Sequence, residues 1–144
     1  MPAIRRAALV PYAPAQMFEL VSDVESYPRF LPWCRGARVE RHGPHDVTAT
    51  LHIAKGPIAS SFATRNRSQP PERIDMQLVK GPFKALHGQW RFSACDDGQC
   101  RVEFSLTFDY SSRLIAATIG PLFGRAADTL VAAFCKRAAE LYAS

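Results

Sequence analysis

Apolar and polar residues alternate with a period of two along much of the chain. Within 101–110 every even position is apolar or aromatic and every odd position is polar. This alternation is typical of an antiparallel strand that buries one face and exposes the other. Turn residues such as Pro70-Pro71 and Asp97-Gly98 separate the alternating runs, so we predict about seven strands paired with their neighbours along the chain. The other runs lie at 3–10, 37–41, 47–53, 62–65, 74–78 and 86–92.

The C-terminal third carries a helical pattern. Ser111-Ser112 can cap a short helix that ends near Ile119, where Gly120-Pro121 interrupts it. From Pro121 to about Tyr142 the apolar residues recur at helical spacing, which predicts an amphipathic helix roughly 33 Å long. A sheet and one long amphipathic helix bury their apolar faces against each other. We therefore predict an α+β fold, a single domain over residues 1–144, in which a curved antiparallel sheet wraps the helix.

The segment before the second strand is interrupted by prolines. Residues 15–21 follow Pro14, which suits a first helical turn, and predict a short helix. Residues 23–33 then form an irregular helix and loop, because two prolines prevent a long helix. The run Tyr27-Pro28-Arg29-Phe30-Leu31-Pro32-Trp33-Cys34 nevertheless carries four large apolar groups. Three alternatives follow: a lid over an apolar pocket, a loop packed on the core without a ligand, or a surface that contacts a membrane or protein partner.

The concave side of the predicted sheet is rich in large aromatic residues. Interiors pack at crystal-like density, so these residues are also expected in a fully packed core. Glycines near or inside the strands (Gly56, Gly81 and Gly88) indicate bends that would curl the sheet and leave a lumen. The residues that we assign to this apolar cavity and its lid are Phe18, Tyr27, Phe30, Leu31, Trp33, Phe62, Trp90, Phe92, Phe104, Phe108, Leu130 and Phe134.

Composition narrows the classes of protein. Of 144 residues, 47% are hydrophobic and 22% charged, which is ordinary for a globular protein with a core. No secretory signal peptide and no apolar run of about 18 residues is present, so we expect a cytoplasmic protein that at most touches the inner membrane peripherally. Eighteen basic against thirteen acidic residues give a net charge of +5, which favours polyanions such as RNA or anionic lipid.

Cysteine and histidine spacing indicates no metal site. Cys34, Cys95, Cys100 and Cys135 form no CxxC pair, and the four histidines show no ligand spacing. Cys95 and Cys100 flank a turn and could approach each other, although reduced thiols are expected in the cytoplasm.

Several motifs together resemble the START-like, helix-grip proteins of the polyketide cyclase and lipid-transport superfamily. The most specific is the Tyr27–Cys34 run, preceded by Phe18-x-Leu20-Val21-x-Asp23-Val24. The others, in chain order, are Phe62-x-Thr64-Arg65-Asn66, Gly81-Pro82-Phe83-x-x-Leu86-x-Gly88-x-Trp90-x-Phe92, Phe108-x-Tyr110-x-Ser112, Gly120-Pro121-Leu122-Phe123 and Ala133-Phe134-x-x-Arg137-Ala138. The resemblance covers essentially the whole chain and is strongest to the branch of coenzyme Q-binding proteins and RatA-type ribosome-association toxins.

The resemblance implies a hydrophobic tunnel whose ligand is a polyprenyl quinone such as ubiquinone. It also implies binding without catalysis and without a required cofactor, in support of respiration or quinone biosynthesis. Burying an isoprenoid chain is favourable by about 25 cal/mol per Å². A quinone head needs a few hydrogen-bond donors near the opening. By position, the candidates for those contacts are Arg35, Arg65, Tyr110 and Arg113.

Two other functions stay open. The resemblance and the basic charge also suit a factor that blocks association of ribosomal subunits. One surface would then have to gather Arg5, Arg6, Arg38, Arg41, Arg65, Arg67, Lys136 and Arg137. A cyclase-type enzyme is the second alternative, but the sequence lacks the common catalytic motifs, and Asp23, Glu25 and Asp109 are expected in solvent. We expect no DNA partner, and no catalytic residue is assigned.

Overall fold

Seven antiparallel strands form one curved sheet around a long helix. The computed structural model describes residues 3–142. The strands are β1 (Ala3–Val10), β2 (Cys34–Gly43), β3 (Asp46–Lys55), β4 (Ile58–Gln69), β5 (Arg73–Lys80), β6 (Phe83–Ala94) and β7 (Cys100–Tyr110). They lie in the order β1-β7-β6-β5-β4-β3-β2, so β1 is added beside the last strand. The predicted fold class and strand set are confirmed.

The helices also agree with the sequence pattern. They are α1 (Pro14–Ser22), α2 (Arg113–Thr118) and α3 (Gly120–Tyr142), with 3₁₀ helices at Val24–Arg29 and Asp96–Gly98. The Ser112 hydroxyl caps α2 by accepting a hydrogen bond from the Ile115 N–H at 3.1 Å. Pro121 lies within the first turn of α3, where its missing N–H costs nothing.

Strand β4 is longer than predicted, and its extra residues matter for the site. The pattern predicted 62–65, whereas the strand runs from Ile58 to Gln69. Past Thr64 its concave positions are Asn66 and Ser68, which are polar, so the apolar alternation ends while the strand continues. Regular pairing with β3 maintains the extended backbone, including Asn66 opposite Val47. Tertiary pairing therefore extends a strand that the pattern alone shortens.

Glycine has a different role here from the one predicted. The register of the sheet shifts at Cys34/Gly36, Arg41/Gly43, Ala63/Thr64 and Phe83/Ala85, and Gly88 lies in regular pairing. The pairing therefore shows no bulge at Gly88, and a Cβ there would lie 2.7 Å from the Met76 Cε, so glycine provides space for this neighbour. At Gly81 a Cβ would come 2.6 Å from the Phe62 Cβ, which fixes glycine in the β5–β6 turn.

Two aromatic clusters pack at opposite ends of the space between sheet and helix. The first groups Phe62, Phe83, Phe108, Tyr110 and Phe123, with the Phe83 and Phe123 ring centroids 4.7 Å apart. The second cluster contains Phe18, Tyr27, Phe30, Trp90, Phe92, Phe104 and Phe134. Between the two clusters the helix presents small side chains, and this is where the core is not filled.

Candidate functional site

A narrow cavity lies between the middle of α3 and the concave face of the sheet. Its volume is about 80 Å³. Ala126 and Ala127 leave the space open on the helix side because their methyl groups do not reach the sheet. We call this space the inner cavity. It is lined by Val24, Tyr27, Trp33, Ala49, Leu51, Ile53, Phe62, Thr64, Asn66, Met76, Leu86, Trp90, Phe104, Leu106, Phe123, Ala126, Ala127 and Leu130.

Two polar side chains interrupt this apolar lining. Thr64 and Asn66 are 6% and 8% exposed and stand two residues apart on the concave face of β4. The Thr64 hydroxyl donates to the Asn66 Oδ1 over 2.6 Å, and within residues 3–142 this is the one hydrogen bond of the Asn66 side chain. The two Nδ2 N–H groups of Asn66 are therefore free to donate into the cavity. These N–H groups border the cavity, so an acceptor placed there could take a hydrogen bond from them.

A second, more polar space continues beyond Asn66 toward the β2–β3 turn. This polar cavity has a volume of about 120 Å³. It shares Val24, Tyr27, Asn66, Met76 and Trp90 with the inner cavity. Its remaining wall includes half-buried Ser68 and the exposed residues Ser22, Arg41 and His45, which supply hydrogen-bonding groups where this end reaches the surface.

The opposite end of the inner cavity leads to a wider groove on the surface. This mouth groove has a volume of about 490 Å³ and shares Trp33 and Ala126 with the inner cavity. Its floor is apolar, with Pro32, Trp33, Ile58, Pro121 and Leu122. Three exposed cations, Arg35, Lys55 and Arg125, stand around it.

The three spaces adjoin one another and form one path: α3 borders the inner cavity and the mouth groove, whereas α1 and the 3₁₀ helix Val24–Arg29 border the polar cavity. Small-molecule sites usually measure about 300–1,000 Å³, which the inner cavity alone does not reach. An extended chain would fill the path from the polar cavity to the mouth groove. Trp33 and Leu130 line the inner cavity and are half-buried, so their displacement does not require the core to open.

The Tyr27–Cys34 segment, for which a lid was one of three predicted roles, borders this path through Tyr27 and Trp33, and we call it the lid. The 3₁₀ helix Val24–Arg29 places the ring of Tyr27 against Phe134, with centroids 5.2 Å apart. The Tyr27 hydroxyl donates to the carbonyl of Val21. Burial raises the pKa of Tyr27 well above its ordinary value, so the hydroxyl stays protonated and neutral.

The predicted apolar site residues fall into two groups. Tyr27, Trp33, Phe62, Trp90, Phe104 and Leu130 line the inner cavity, and Phe18 lines the polar cavity. The other five do not line either space, so their assignment to the cavity wall is corrected. They pack against one another and against the core. The ring centroids of Phe30 and Phe134 lie 5.4 Å apart, and those of Phe108 and Phe123 lie 5.1 Å apart. This group is Phe30, Leu31, Phe92, Phe108 and Phe134.

Of the four predicted head contacts, Arg35 borders the mouth groove. The other three are directed elsewhere. Arg65 projects from the convex face, where its Nε and Nη2 donate to the Asp46 carboxylate at 2.6 and 2.7 Å. Tyr110 donates to the Gly120 carbonyl at 3.3 Å and stacks on Phe83. Arg113 is exposed at the start of α2.

The polar pair Thr64 and Asn66 is absent from the predicted site residues, although both belong to the motif Phe62-x-Thr64-Arg65-Asn66. Strand alternation contains the signal: Phe62 and Thr64 face the concave side, and Asn66 follows at the same spacing. Arg65, a predicted head contact, has an odd position, which places it on the opposite face. Strand alternation therefore assigns Asn66, and not Arg65, to the concave face.

The basic residues proposed for a ribosome surface do not form one patch. Arg5, Arg38, Arg65 and Arg67 lie on the convex face, whereas Arg6 forms an ion pair with Asp128 of α3. Arg41 borders the polar cavity, and Lys136 and Arg137 belong to α3. The convex face instead brings together Arg5, Arg91 and Arg101, the last paired with Glu103 at 3.2 Å, around a shallow depression of about 400 Å³, which we call the arginine groove.

Other chemistry is limited in the part of the chain that the structure describes. No group of three or more potential metal ligands occurs among residues 3–142. All four cysteines are free thiols, including Cys95 and Cys100. In the same range, no helix has the length and apolarity needed to cross a membrane.

Comparison with known proteins identifies relatives along the whole chain. The family described as polyketide cyclase/dehydrase and lipid transport matches residues 10–135. The "Ribosome association toxin RatA" of Pseudomonas aeruginosa is 47% identical over 139 residues, with 96% of each chain covered. The protein of the same name from Escherichia coli K12 is 44% identical over 144 residues, covering all of this chain and 91% of the relative. The "Coenzyme Q-binding protein COQ10 homolog B, mitochondrial" of Xenopus laevis is 27% identical over 131 residues, covering 88% of this chain and 54% of the relative.

Solved structures share the fold. The 18 kDa protein CC1736 of Caulobacter crescentus superposes with a TM-score of 0.77 at 37% identity, over the full length of both chains. The Zhui aromatase/cyclase of Streptomyces sp. R1128 reaches a TM-score of 0.82 at 14% identity, covering 99% of this chain and 96% of the other. At that identity the second likeness concerns the fold alone.

Proposed function

The chain belongs to the polyketide cyclase/dehydrase and lipid transport family, and on that premise we propose that it binds and carries an apolar small molecule without transforming it. The observation that carries this proposal is the path from the polar cavity through the inner cavity to the mouth groove. Its walls are mainly apolar, and a single polar pair, Thr64 and Asn66, lies on the inner section. Pockets that bind small molecules combine these features.

The finer proposal is a polyprenyl quinone of the ubiquinone type, carried in support of respiration or quinone biosynthesis. A relative named as a coenzyme Q-binding protein supports this choice. An isoprenoid chain is flexible enough to follow a narrow curved path and gains about 25 cal/mol for each Å² of apolar surface that it buries. The cations Arg35, Lys55 and Arg125 around the mouth groove would favour delivery at an anionic membrane surface. No resident cofactor is required.

Catalysis is not part of the proposal: the inner cavity offers no acid or base suited to neutral pH, and the histidine of the polar cavity, His45, is exposed. Its lining contains no Asp, Glu, His, Lys or Cys within residues 3–142, and its one titratable side chain is Tyr27. The raised pKa of Tyr27 keeps its hydroxyl protonated, and that hydroxyl already donates to Val21. Of the three carboxylates considered from the sequence, Asp23 and Glu25 are exposed and Asp109 is half-buried, and none of them lines the path.

Extraction of the native protein tests the proposal. The protein is purified without detergent, extracted with organic solvent and analysed by mass spectrometry for bound quinones and lipids. Stoichiometric recovery of a polyprenyl quinone is expected from the wild type, and an Ala126→Leu variant with a blocked passage should yield much less. Extracts without any apolar molecule, together with no saturable binding of added quinone, would contradict the proposal.

Association with a ribosomal subunit is the second candidate function. Relatives named as ribosome association toxins at 44–47% identity favour it, and the arginine groove provides cations for an RNA backbone. Phosphate contacts would make binding fall steeply with added salt. Cosedimentation with isolated subunits at low and high salt is the test, with Arg91→Glu as the variant. Lys136→Glu on α3 is the control, because it makes the same charge change away from the groove.

A further inference from the structure

The Asn66 amide is a polar group on the path, and a purely apolar chain forms no hydrogen bond with it. Asn66 is 8% exposed and lies where the inner cavity and the polar cavity meet. Thr64 occupies its Oδ1, so the amide presents N–H donors toward the path. Whatever occupies the path must cover these donors, and a hydrocarbon would desolvate them without replacing the lost hydrogen bonds.

Building on the proposed binding of an apolar ligand, we propose that Asn66 is the head-group anchor, donating to a carbonyl oxygen of a quinone ring that lies deep in the path. The isoprenoid tail then runs past Ala126 and Trp33 into the mouth groove. This orientation reverses the sequence-based expectation of a head at the opening.

The two ends of the path favour this orientation. Beyond Asn66 the polar cavity offers Ser22, Arg41, His45 and Ser68, which suit the oxygen substituents of a head group. In the other direction the inner cavity is apolar, and the mouth groove continues with Pro32, Ile58 and Leu122. An isoprenoid tail beside Asn66 would cover its amide with hydrocarbon, whereas a quinone ring in the same place would accept a hydrogen bond from that amide. Arg35, at the open mouth, remains hydrated in either case.

The two tryptophans of the chain report which end of the ligand is deep. Trp90 borders both cavities beside Asn66, and Trp33 stands at the junction with the mouth groove. Trp33→Phe leaves Trp90 as the single tryptophan, and Trp90→Phe leaves Trp33. The probe is a ubiquinone with two isoprene units, whose ring quenches nearby indole fluorescence. We expect stronger saturable quenching of Trp90 than of Trp33.

Asn66→Leu removes the donor while keeping a similar volume. Because a net hydrogen bond is lost, quinone affinity should fall about tenfold, equivalent to about 1.4 kcal/mol. Geranylbenzene carries the same chain on a ring without carbonyl groups, and its affinity, measured by displacement of the quinone, should be unchanged or higher. Gln77→Leu makes the same amide-to-leucine change on the convex face and should affect neither ligand.

Failure of the anchor and failure of the proposed function give different results. Stronger quenching of Trp33 than of Trp90, or equal losses for quinone and geranylbenzene in Asn66→Leu, would overturn the anchor and leave apolar binding standing. Oleate, a fatty acid, tests a carboxyl head in place of a quinone. If Asn66→Leu weakened the binding of oleate but not of the quinone, the amide would bind a carboxyl head, and the quinone anchor would also be overturned. Absence of saturable quenching at either tryptophan, with no binding of geranylbenzene, would remove the proposed function itself.

Discussion

The ring of Tyr27 meets the ring of Phe134 edge to face, with the centroids 5.2 Å apart. This contact joins the lid to the long helix across the end of the inner cavity. Phe134 is fully buried, and Tyr27 is fixed further by the hydrogen bond from its hydroxyl to the Val21 carbonyl. The lid is therefore part of the core at this point, and its stability can be separated into ring packing and hydrogen bonding.

Tyr27→Phe should cost about 1 kcal/mol of unfolding free energy, because it removes one buried hydrogen bond and keeps the ring. Phe134→Ala should cost about 3–5 kcal/mol, because it deletes the helix side of the contact and leaves a cavity. Equilibrium urea unfolding measures both. A larger loss for Tyr27→Phe than for Phe134→Ala would show that the hydroxyl, and not ring packing, holds the lid.

The fold was predictable because its signals are local. Alternation identifies strands such as β7, and the position of Pro121 marks the start of α3 within one residue. The interior is harder to predict, because whether an inward aromatic side chain lines a void or fills one depends on what stands opposite. Phe104 and Phe108 are equivalent in the pattern, yet Phe104 borders the inner cavity and Phe108 packs on Phe123.

The polar part of the site shows a second limit. Arg65 and Asn66 are adjacent, and only the arginine is among the predicted head contacts. Strand parity places Arg65 on the convex face with Asp46 and directs Asn66 into the path. Parity was available from the sequence, whereas the meeting of two cavities at Asn66 was not, because it requires α3 and β4 to be positioned together.

Gly88→Ala should narrow the path with little loss of stability. The new methyl group would stand 2.7 Å from the Met76 Cε and 3.1 Å from the Leu106 Cδ1, and both neighbours line the inner cavity. Met76 is flexible and can move toward the cavity, so ligand affinity should fall severalfold. Titration with a short-chain ubiquinone measures this.

Gly124→Ala is the matched control for that change. It adds the same methyl group within α3, at a position where nothing lies within 4 Å of the new Cβ. It should raise the unfolding free energy by about 0.5–1 kcal/mol through helix propensity and leave ligand affinity unchanged. Equal affinity losses in both variants would argue against displacement of Met76.

The pH dependence of stability should include a contribution from Asp46. The hydrogen bond from Arg65 holds the pKa of this carboxyl below its ordinary value. A carboxyl with a lowered folded-state pKa stabilises the fold above its unfolded pKa of about 3.9, and the contribution is lost as pH falls through the folded value. Carbon-13 NMR titration should show the Asp46 pKa rising toward about 3.9 in Arg65→Gln.

Salt provides the control for this ion pair. Both partners are partly exposed, with side-chain exposures of 37% for Arg65 and 30% for Asp46, so added salt should weaken the shift. In Asp46→Asn the acid-induced loss of stability should be smaller than in the wild type. An Asp46 pKa that does not respond to Arg65→Gln would contradict the assignment of the shift to this contact.

Filling the passage at Ala126 should separate stability from binding. Ala126 borders both the inner cavity and the mouth groove, so a leucine there would occupy the junction through which an apolar chain passes. Cavity filling commonly adds about 0.5–2 kcal/mol of unfolding free energy when the new side chain fits. We therefore expect Ala126→Leu to be at least as stable as the wild type in urea and to bind a short-chain ubiquinone at least tenfold more weakly, a loss of about 1.4 kcal/mol.

Ala132→Leu is the matched control. Ala132 is exposed on the same helix, so this substitution makes the same change away from the path. It should bind the quinone like the wild type. If Ala126→Leu is stable and still binds with unchanged affinity, the ligand does not pass between the helix and Trp33, and the path through the core is not its site. Weak binding accompanied by a large loss of stability would instead show overpacking, and Ala126→Val, with less added volume, then replaces leucine in the same comparison.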